Sequence, residues 1–217
     1  MSGYLRALCL AVVSGVVWSG GAFGSDVLVG GENWRFKTDL DIKGGGGDFI
    51  GHHSSSAVTT EWRLNKNFSL NLNVGHVTSS LEEETAGTLG SGDGYYLLGG
   101  FCIEQDLDTG GGLLIDGSYS FGWTDLDATR EYDHQRAHLM LGYVFGRGDR
   151  SRLFAGVAYN VYEADLVDTA GPDTSYENDG RISIVAGIRA KSDTFVGTAE
   201  LCAIGEYGFR LGLSFGF

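Results

Sequence analysis

The stretch from Asn33 to Ile42, NWRFKTDLDI, shows the pattern on which the fold prediction depends. Large apolar residues alternate with charged or polar ones, which predicts a β-strand because neighbouring side chains of a strand point to opposite faces. One predicted face carries Trp34, Phe36, Thr38, Leu40 and Ile42. The other carries Asn33, Arg35, Lys37, Asp39 and Asp41. A membrane barrel would turn the first face to lipid and the second to its interior, whereas a soluble sandwich would bury the first.

The same alternation recurs nine more times along the chain, separated by turn-forming stretches. The predicted strands lie near 56–64, 68–77, 94–104, 112–123, 135–145, 152–162, 181–190, 194–203 and 206–217. Long and short connections alternate between them, with Lys43 to Ser55 and Glu163 to Gly180 among the long ones. This is typical of outer-membrane barrels, which have long loops outside and short turns in the periplasm. The sequence therefore predicts an all-β, antiparallel up-and-down transmembrane β-barrel of about ten strands, with eight as the alternative.

Composition supports this fold class and excludes others. The chain of 217 residues has 36 glycines and one proline, which suits a curved, closed sheet because glycine permits bends and proline removes ladder donors. Its formal net charge of −13 argues against a nucleic-acid partner, since phosphate binding needs concentrated Lys and Arg. Outside residues 1–24, no segment contains the roughly 18 continuous apolar residues of a transmembrane helix.

Residues 1–24 have the features of a signal peptide. Arg6 gives a positive start, Ala7 to Trp18 is an uncharged apolar core, and Ala22-Phe23-Gly24 is a small-x-small cleavage site. We expect this segment to direct export and residues 25–217 to form the barrel domain. An uncleaved membrane anchor is the alternative.

Aromatic residues cluster towards the two ends of the predicted strands. Trp34, Phe36 and Trp62 fall near the periplasmic end in this scheme, and Trp123 and Tyr159 near the outer end. Two aromatic belts at the lipid headgroups would produce this distribution. We therefore expect these rings to face lipid.

The last predicted strand has apolar side chains at every second position up to the final residue. They are Tyr207, Phe209, Leu211, Leu213, Phe215 and Phe217. This strand resembles the C-terminal signature of Gram-negative outer-membrane proteins, which implies recognition by the barrel-assembly machinery. The whole chain resembles the small outer-membrane, porin-like barrel class, and no motif narrows it to one family. The resemblance implies a location in the bacterial outer membrane, in contact with its lipid.

Alternation also predicts which charged residues line the interior. They are Arg35, Lys37, Asp39, Asp41, Glu61, Arg63, Asp116, Arg136, His138, Arg181, Arg189, Glu200, Glu206 and Arg210. Enclosed charges are costly unless they are paired or hydrated. We expect a network of ion pairs that fills the lumen, because small barrels are filled by side chains. A narrow polar pore is the alternative.

No motif assigns a catalytic, cofactor-binding or metal-binding site. His52 and His53, with Asp48 nearby, are adjacent histidines that point apart on an extended chain, so we expect no metal there. Ten-stranded omptin proteases use acidic residues with a His–Asp pair. Here the comparable residues are Asp125, Asp127, Asp133 and His134, and all fall in one predicted loop. A hydrated acidic loop is the preferred interpretation.

Two other histidines could belong to a catalytic trio, and two cysteines could form a disulfide. Lipid A-modifying barrels use a His with a Ser and an acid, but neither His76 nor His138 has such a trio nearby in sequence. Cys102 and Cys202 fall near opposite ends of their strands, so we predict no disulfide.

Three functions remain in order of preference. The first is a non-enzymatic surface barrel with no cofactor, whose acidic loops bind an external ligand. The second is a passive pore for small solutes, and the third is a membrane-embedded hydrolase, omptin-like or lipid-modifying.

Overall fold

The computed structural model describes residues 26–43, 48–84, 87–108, 110–146, 151–169 and 171–216. The predicted signal peptide and Phe217 lie outside these ranges. Within them the chain forms eleven β-strands. These are β1 Asp26–Ile42, β2 Phe49–Asn65, β3 Phe68–Glu83, β4 Gly87–Asp106, β5 Gly112–Asp125, β6 Arg130–Phe145, β7 Ser151–Asp168, β8 Thr174–Asn178, β9 Ile182–Ser192, β10 Phe195–Ala203 and β11 Glu206–Gly216.

Ten of these strands, β1 to β7 and β9 to β11, form a closed antiparallel barrel. The barrel closes where β1 pairs with β11, from Leu28 opposite Gly216 to Thr38 opposite Glu206. The predicted all-β up-and-down barrel of about ten strands is therefore confirmed. Among the described residues there is no helix of the length and hydrophobicity needed to cross a membrane.

The strands are staggered around the barrel. A path through directly paired residues starts at Asp125 on β5 and returns to β5 at Leu113, a stagger of 12 residues. It passes through Asp125, Asp93, Thr78, Ser54, Arg35, Phe209, Leu201, Ala186, Ala155, Tyr143 and Leu113. Ten strands with this stagger tilt by about 40° from the barrel axis.

The barrel has two tiers because its strands differ in length. At the end carrying the long connections, the loop end, β1 to β7 extend beyond β9, β10 and β11. Strand β8 fills the gap above these shorter strands, pairing with β7 at Glu163 to Leu166 and with β1 at Leu40 to Ile42. The wall therefore has ten strands in its lower tier and eight, including β8, in its upper tier.

Local sequence accounts for the tightest connection. The β10–β11 hairpin turns at Ile204 and Gly205, with φ of 69° and 75°. Two consecutive positive φ angles define the type I′ turn that matches strand twist.

Close packing of the wall is shown by Gly94, where an added Cβ would lie 1.6 Å from the carbonyl oxygen of Trp123.

The strands extend further towards the loop end than the sequence predicts. Residues 49–55, expected in a long loop, belong to β2, and β8 lies within the stretch expected to be the loop from Glu163 to Gly180. Strand β8, TSYEN, has no alternating apolar residues, so periodicity does not identify it.

The two faces of β1 are reversed from the prediction. Phe36, Thr38 and Leu40 are buried in the interior, while Arg35 and Asp39 are exposed on the outer wall. The reason is that the interior at this level is a packed apolar core and not a hydrated lumen. Here the barrel is built like a soluble protein, with apolar side chains inside and charged ones outside.

Candidate functional site in the barrel interior

The loop-end half of the interior is filled by buried, mostly apolar side chains, here called the plug. Its members are Phe36, Leu40, Phe49, Leu81, Leu126, Tyr132, Tyr162, Ala164 and Tyr176. They come from β1, β2, β3, β6, β7, β8 and the β5–β6 connection, and β4 adds the partly buried Leu89. Trp34 packs against the plug from below. Trp34 and Phe36 thus lie inside the barrel, and their predicted place in a lipid-facing aromatic belt is wrong.

A chain of hydrogen bonds fixes the centre of the plug. The hydroxyl of Tyr162 lies 2.9 Å from the hydroxyl of Tyr132 and 2.8 Å from Nε2 of His53. The other ring nitrogen of His53 lies 3.0 Å from Oγ of Ser79, which also accepts from Thr124. Buried polar groups that satisfy one another in this way hold a core in one arrangement. These bonds connect β2, β3, β5, β6 and β7 through the centre of the plug.

An ion-pair network lies directly below the plug. Arg136 donates to both carboxylate oxygens of Glu206, at 2.9 Å and 2.6 Å, and its guanidinium stacks 4.6 Å from the ring centre of Trp34. Arg136 also bonds Oδ1 of Asn160, which lies 2.7 Å from Nδ1 of His138. Paired, bidentate charges of this kind avoid the cost of isolated buried charge.

A second set of pairs continues the network towards the other end. Arg210 binds Glu32 at 2.8 Å, and Asn73 donates to the other oxygen of Glu32 at 3.0 Å. Glu61 lies 3.6 Å from Arg63 and 3.9 Å from Arg189. Interior charges therefore link most of the strands of the lower tier.

Two interior cavities lie beside and below these charged layers. A cavity of about 70 Å³ lies beside Asp116, Glu200 and Arg210. A larger one of about 510 Å³ is lined by the short turns at Asn65 to Asn67 and at Ser192 and Asp193, so it opens at the turn end. The larger cavity therefore opens at the end of the barrel opposite the plug.

The structure divides the predicted interior charges into two groups. Those that face the interior are Glu61, Arg63, Asp116, Arg136, His138, Arg189, Glu200, Glu206 and Arg210. Those that lie on the outside, against the prediction, are Arg35, Lys37, Asp39, Asp41 and Arg181. The β1 residues are outside because of the reversed faces. Arg181 lies just before the first residue of β9 and meets Glu177 and Tyr159 on the outer wall. Glu32 was missed because β1 begins before the predicted strand.

The acidic cluster with His134 does not assemble a site. His134 is 8% exposed inside the plug, whereas Asp133, its neighbour on β6, points outwards. Burial and the nearby carboxylates of Glu131, Asp165 and Asp125 raise the pKa of Asp133, which lies beyond the apolar part of β6. Adjacent strand positions face opposite sides, so these groups cannot act together.

Asp127 has a local structural role in the connection between β5 and β6. It accepts hydrogen bonds from the amides of Thr129 and Arg130 and pairs with the Arg130 guanidinium. The side-chain bonds from Arg130 and the bonds from Thr129 hold the pKa of Asp127 well below its usual range.

The adjacent histidines His52 and His53 lie on opposite faces of β2. His53 is in the plug, while His52 is on the outer wall, 3.5 Å from Glu82. No group of three or more metal-ligating side chains occurs among the described residues. Cys102 and Cys202 are free thiols, and Cys102 accepts a hydrogen bond from Arg189.

One trio that sequence spacing missed lies on the outer wall. His76 on β3 is paired directly with Ser56 on β2, and its Nε2 is 3.7 Å from Oδ1 of Asp93 on β4. Asn33 donates to Oγ of Ser56 at 2.8 Å. The three residues are 17 to 37 positions apart in sequence, so only the register of β2, β3 and β4 brings them together.

The outer wall of the lower tier is apolar and exposed. Its lipid-facing residues include Val58, Leu97, Phe121, Trp123, Leu139, Leu141, Val157, Ile184, Leu201, Tyr207, Leu211, Leu213 and Phe215. The C-terminal signature residues Tyr207, Leu211, Leu213 and Phe215 are thus part of this belt. From Leu113 to Trp123 along tilted β5 the belt is about 25 Å tall, which matches the apolar band of outer-membrane barrels.

A closed barrel with such a belt satisfies every backbone hydrogen bond within lipid, and this defines the chain as a small transmembrane β-barrel of the outer-membrane type. No family model matches the sequence, and no curated protein matches it either. Among solved structures, the translocator domain of the autotransporter NalP from Neisseria meningitidis is similar, with 12% identity, a TM-score of 0.46 and coverage of 98% of this chain and 96% of that one.

Two further solved structures show the same level of similarity. The outer membrane protease OmpT from Escherichia coli has 8% identity and a TM-score of 0.47, covering 90% of this chain and 98% of its own. The outer membrane protein OprG from Pseudomonas aeruginosa has 10% identity and a TM-score of 0.43, covering 89% and 96%.

Proposed function

We propose that this protein is a non-conducting surface barrel of the bacterial outer membrane, delivered by its signal peptide, whose loop end binds an external partner. The observation that carries this proposal is the plug. Its hydrogen-bonded aromatic centre and the ion pairs below it fill the interior, which supports a lumen with no continuous water path between the two ends. A passive porin requires such a path.

The charge of the loop end indicates the chemistry of the partner. Exposed or half-buried carboxylates surround the upper tier, at Asp39, Asp41, Glu82, Glu83, Asp125, Glu131, Asp133, Glu163, Asp165, Asp168, Asp173 and Glu177. Basic residues there are few, and Arg130 and Lys43 are each paired with an acid. A surface of this sign favours a cationic partner, such as a lysine-rich peptide or protein surface.

Ion conductance in a planar bilayer tests the closed lumen. Residues 25–217 are refolded in detergent, folding is verified by the heat-induced shift in gel mobility, and the protein is inserted into the bilayer. We expect no discrete current steps. Reproducible steps from folded protein would contradict the closed barrel and support the pore instead.

A second candidate function, a lipid-modifying hydrolase, is favoured by the Ser56, His76 and Asp93 trio alone. In this role Oγ of Ser56 attacks an ester carbonyl while His76 accepts the hydroxyl proton and returns it to the leaving alcohol. Water then releases the acyl group from Ser56, and Asp93 orients the imidazole. Asn33 donates to Ser56, so the serine proton is free for His76.

Release of fatty acid from mixed micelles of an acylated glycolipid tests this second function. Ser56→Ala should abolish the release, and Ser54→Ala, on the same face of the same strand, should leave it intact. Absence of release by the folded native barrel would reject the hydrolase and leave the surface barrel as the function.

A further inference from the structure

The apolar belt is interrupted on one side of the barrel. The stagger of 12 residues in ten strands means that the paired path descends by about 1.2 residues per strand. Arg35 is four steps from Asp125, so it lies about five residues below it, level with Phe121 in the belt. By the same measure Tyr207 and Tyr95 lie within about two residues of that level.

Between Tyr207 on β11 and Tyr95 on β4, the outward side chains at this level are polar on three successive strands. They are Asn33, Arg35 and Lys37 on β1, Ser54 and Ser56 on β2, and His76 and Thr78 on β3. We call this surface the notch. The apolar wall resumes below it at Val58 and Val74. Elsewhere on the barrel, most outward residues at this level are aromatic or aliphatic, and the polar Gln135 on β6 is bonded to Tyr119 and Glu163.

The notch is basic in an otherwise acidic protein. Arg35 and Lys37 are outward neighbours on β1, and neither forms an ion pair with any described residue. Among the acids around the notch, Asp93 meets His76 and accepts from Thr78, and Glu82 meets His52. Asp39 follows Lys37 on the same face of β1 but forms no ion pair with it among the described residues. Unpaired cations on a lipid-facing wall are costly unless an anion meets them there.

The surface also has the shape of a binding site. A depression of about 660 Å³ is lined by Arg35 and Lys37 together with the hydroxyl side chains of Ser54 and Thr78 and the rings of Tyr207 and Phe209. Cations can hold phosphate, hydroxyls can bond sugar, and the aromatic rings lie at the level expected for the boundary between headgroups and acyl chains.

We propose that the notch binds the phosphorylated headgroup of an outer-leaflet glycolipid, with Arg35 and Lys37 contacting its phosphate. The proposal rests on the outer-membrane location and on the loop end facing outwards, and it does not depend on whether the lumen is closed. It is also independent of the hydrolase, because binding requires the two cations and turnover would require Ser56.

Binding to lipid A tests the proposal on the full barrel in detergent micelles. Native mass spectrometry would measure retention of diphosphoryl lipid A, of the same lipid after removal of both phosphates, and of inorganic phosphate. We expect the native barrel to retain the diphosphoryl lipid at least about tenfold more than the dephosphorylated lipid, since two cations act on the phosphate. Inorganic phosphate alone should not bind measurably.

Matched variants assign the effect to the notch. The double variant Arg35→Gln, Lys37→Gln should lose the preference for the phosphorylated lipid, and Arg35→Lys, Lys37→Arg should keep it. Arg181→Gln, a cation elsewhere on the outer wall, serves as the control and should behave like the native barrel. All variants are first shown to be folded by heat-shifted mobility.

Three results would overturn the proposal. One is equal retention of phosphorylated and dephosphorylated lipid by the native barrel. Another is an unchanged preference in the glutamine variant. The third is a Ser54→Cys variant that forms a disulfide-linked dimer at high yield in liposomes, because the notch would then be covered by a second copy of the chain.

Discussion

The guanidinium of Arg136 and the carboxylate of Glu206 form a two-point bond across the interior, at 2.9 Å and 2.6 Å, with Glu206 only 1% exposed. This bond joins β6 to the first residue of β11, on opposite sides of the barrel. It therefore ties the closing strand to the wall that it faces.

Glu206→Gln should lower the free energy of unfolding by about 3–5 kcal/mol, because it leaves Arg136 buried without its counter-charge. Urea unfolding from lipid vesicles, followed by tryptophan fluorescence, measures the change. Glu177→Gln removes the partner of Arg181 from an exposed pair and should change stability by less than about 1 kcal/mol. Equal effects of the two substitutions would contradict a structural role for the buried bond.

Tyr162→Phe should destabilise the plug by about 1–3 kcal/mol, because the hydroxyl serves both Tyr132 and His53 and its loss leaves buried partners unsatisfied. Tyr159→Phe is the matched control on the same strand, since its hydroxyl faces outwards and meets only Arg181. We expect the control variant to unfold at the same urea concentration as the native protein. An equally large loss in the control would refute the importance of the plug bonds.

Ile204→Asn should stabilise the barrel by about 1 kcal/mol. Ile204 has φ of 69°, a conformation that a β-branched residue resists and that Asn adopts readily in a type I′ turn. Equilibrium unfolding of the variant in vesicles provides the measurement. A decrease in stability would show that contacts of the exposed isoleucine with lipid outweigh the backbone strain.

Val157→Arg should lower stability in lipid by about 2–4 kcal/mol, because Val157 is 55% exposed in the middle of the apolar belt. Val167→Arg places the same charge on the same face of β7 but beside Glu131, above the belt, and should be nearly neutral. Comparison of the two variants in vesicles measures the position of the membrane. If both were neutral, the wall around Val157 would not contact lipid.

The Asp127 turn should depend on pH in a defined direction. Its folded pKa is below the ordinary value, so its stabilising effect is complete above the unfolded pKa of about 3.9 and disappears as the pH falls through the folded pKa. At pH 7, Asp127→Asn should speed amide hydrogen exchange at Thr129 and Arg130, because the backbone amides of both residues donate hydrogen bonds to the carboxylate. Unchanged exchange in this variant would exclude the capping role.

Periodicity predicted the strands because alternation is a local property that each strand shows in its own residues. It could not predict which face of β1 points inwards, since this depends on whether the interior at that level holds water or the side chains of Tyr132 and Tyr162 from distant strands. In the structure Arg136 and Glu206 face the interior, and their outward neighbours Ala137 and Tyr207 lie on the outer wall.

The candidate sites depended even more on register. The notch exists because β1, β2 and β3 all show polar residues outwards at one level, and the level itself follows from the stagger of the whole barrel. Sequence alone gives neither quantity. The sequence pattern also does not identify β8, whose partners on β1 and β7 are more than 100 residues apart.

The position of β8 has a consequence for how the chain is assembled. Because β8 precedes β9, β10 and β11 in sequence and spans from β7 to β1, the narrow ring of the upper tier can form before the last three strands are added. Those strands then enter a gap whose width is already set at the top. In that order, β11 pairs with β1 last, after β8 has already set the distance between β7 and β1. Shortening β8 should therefore slow this final pairing more than it destabilises the finished barrel.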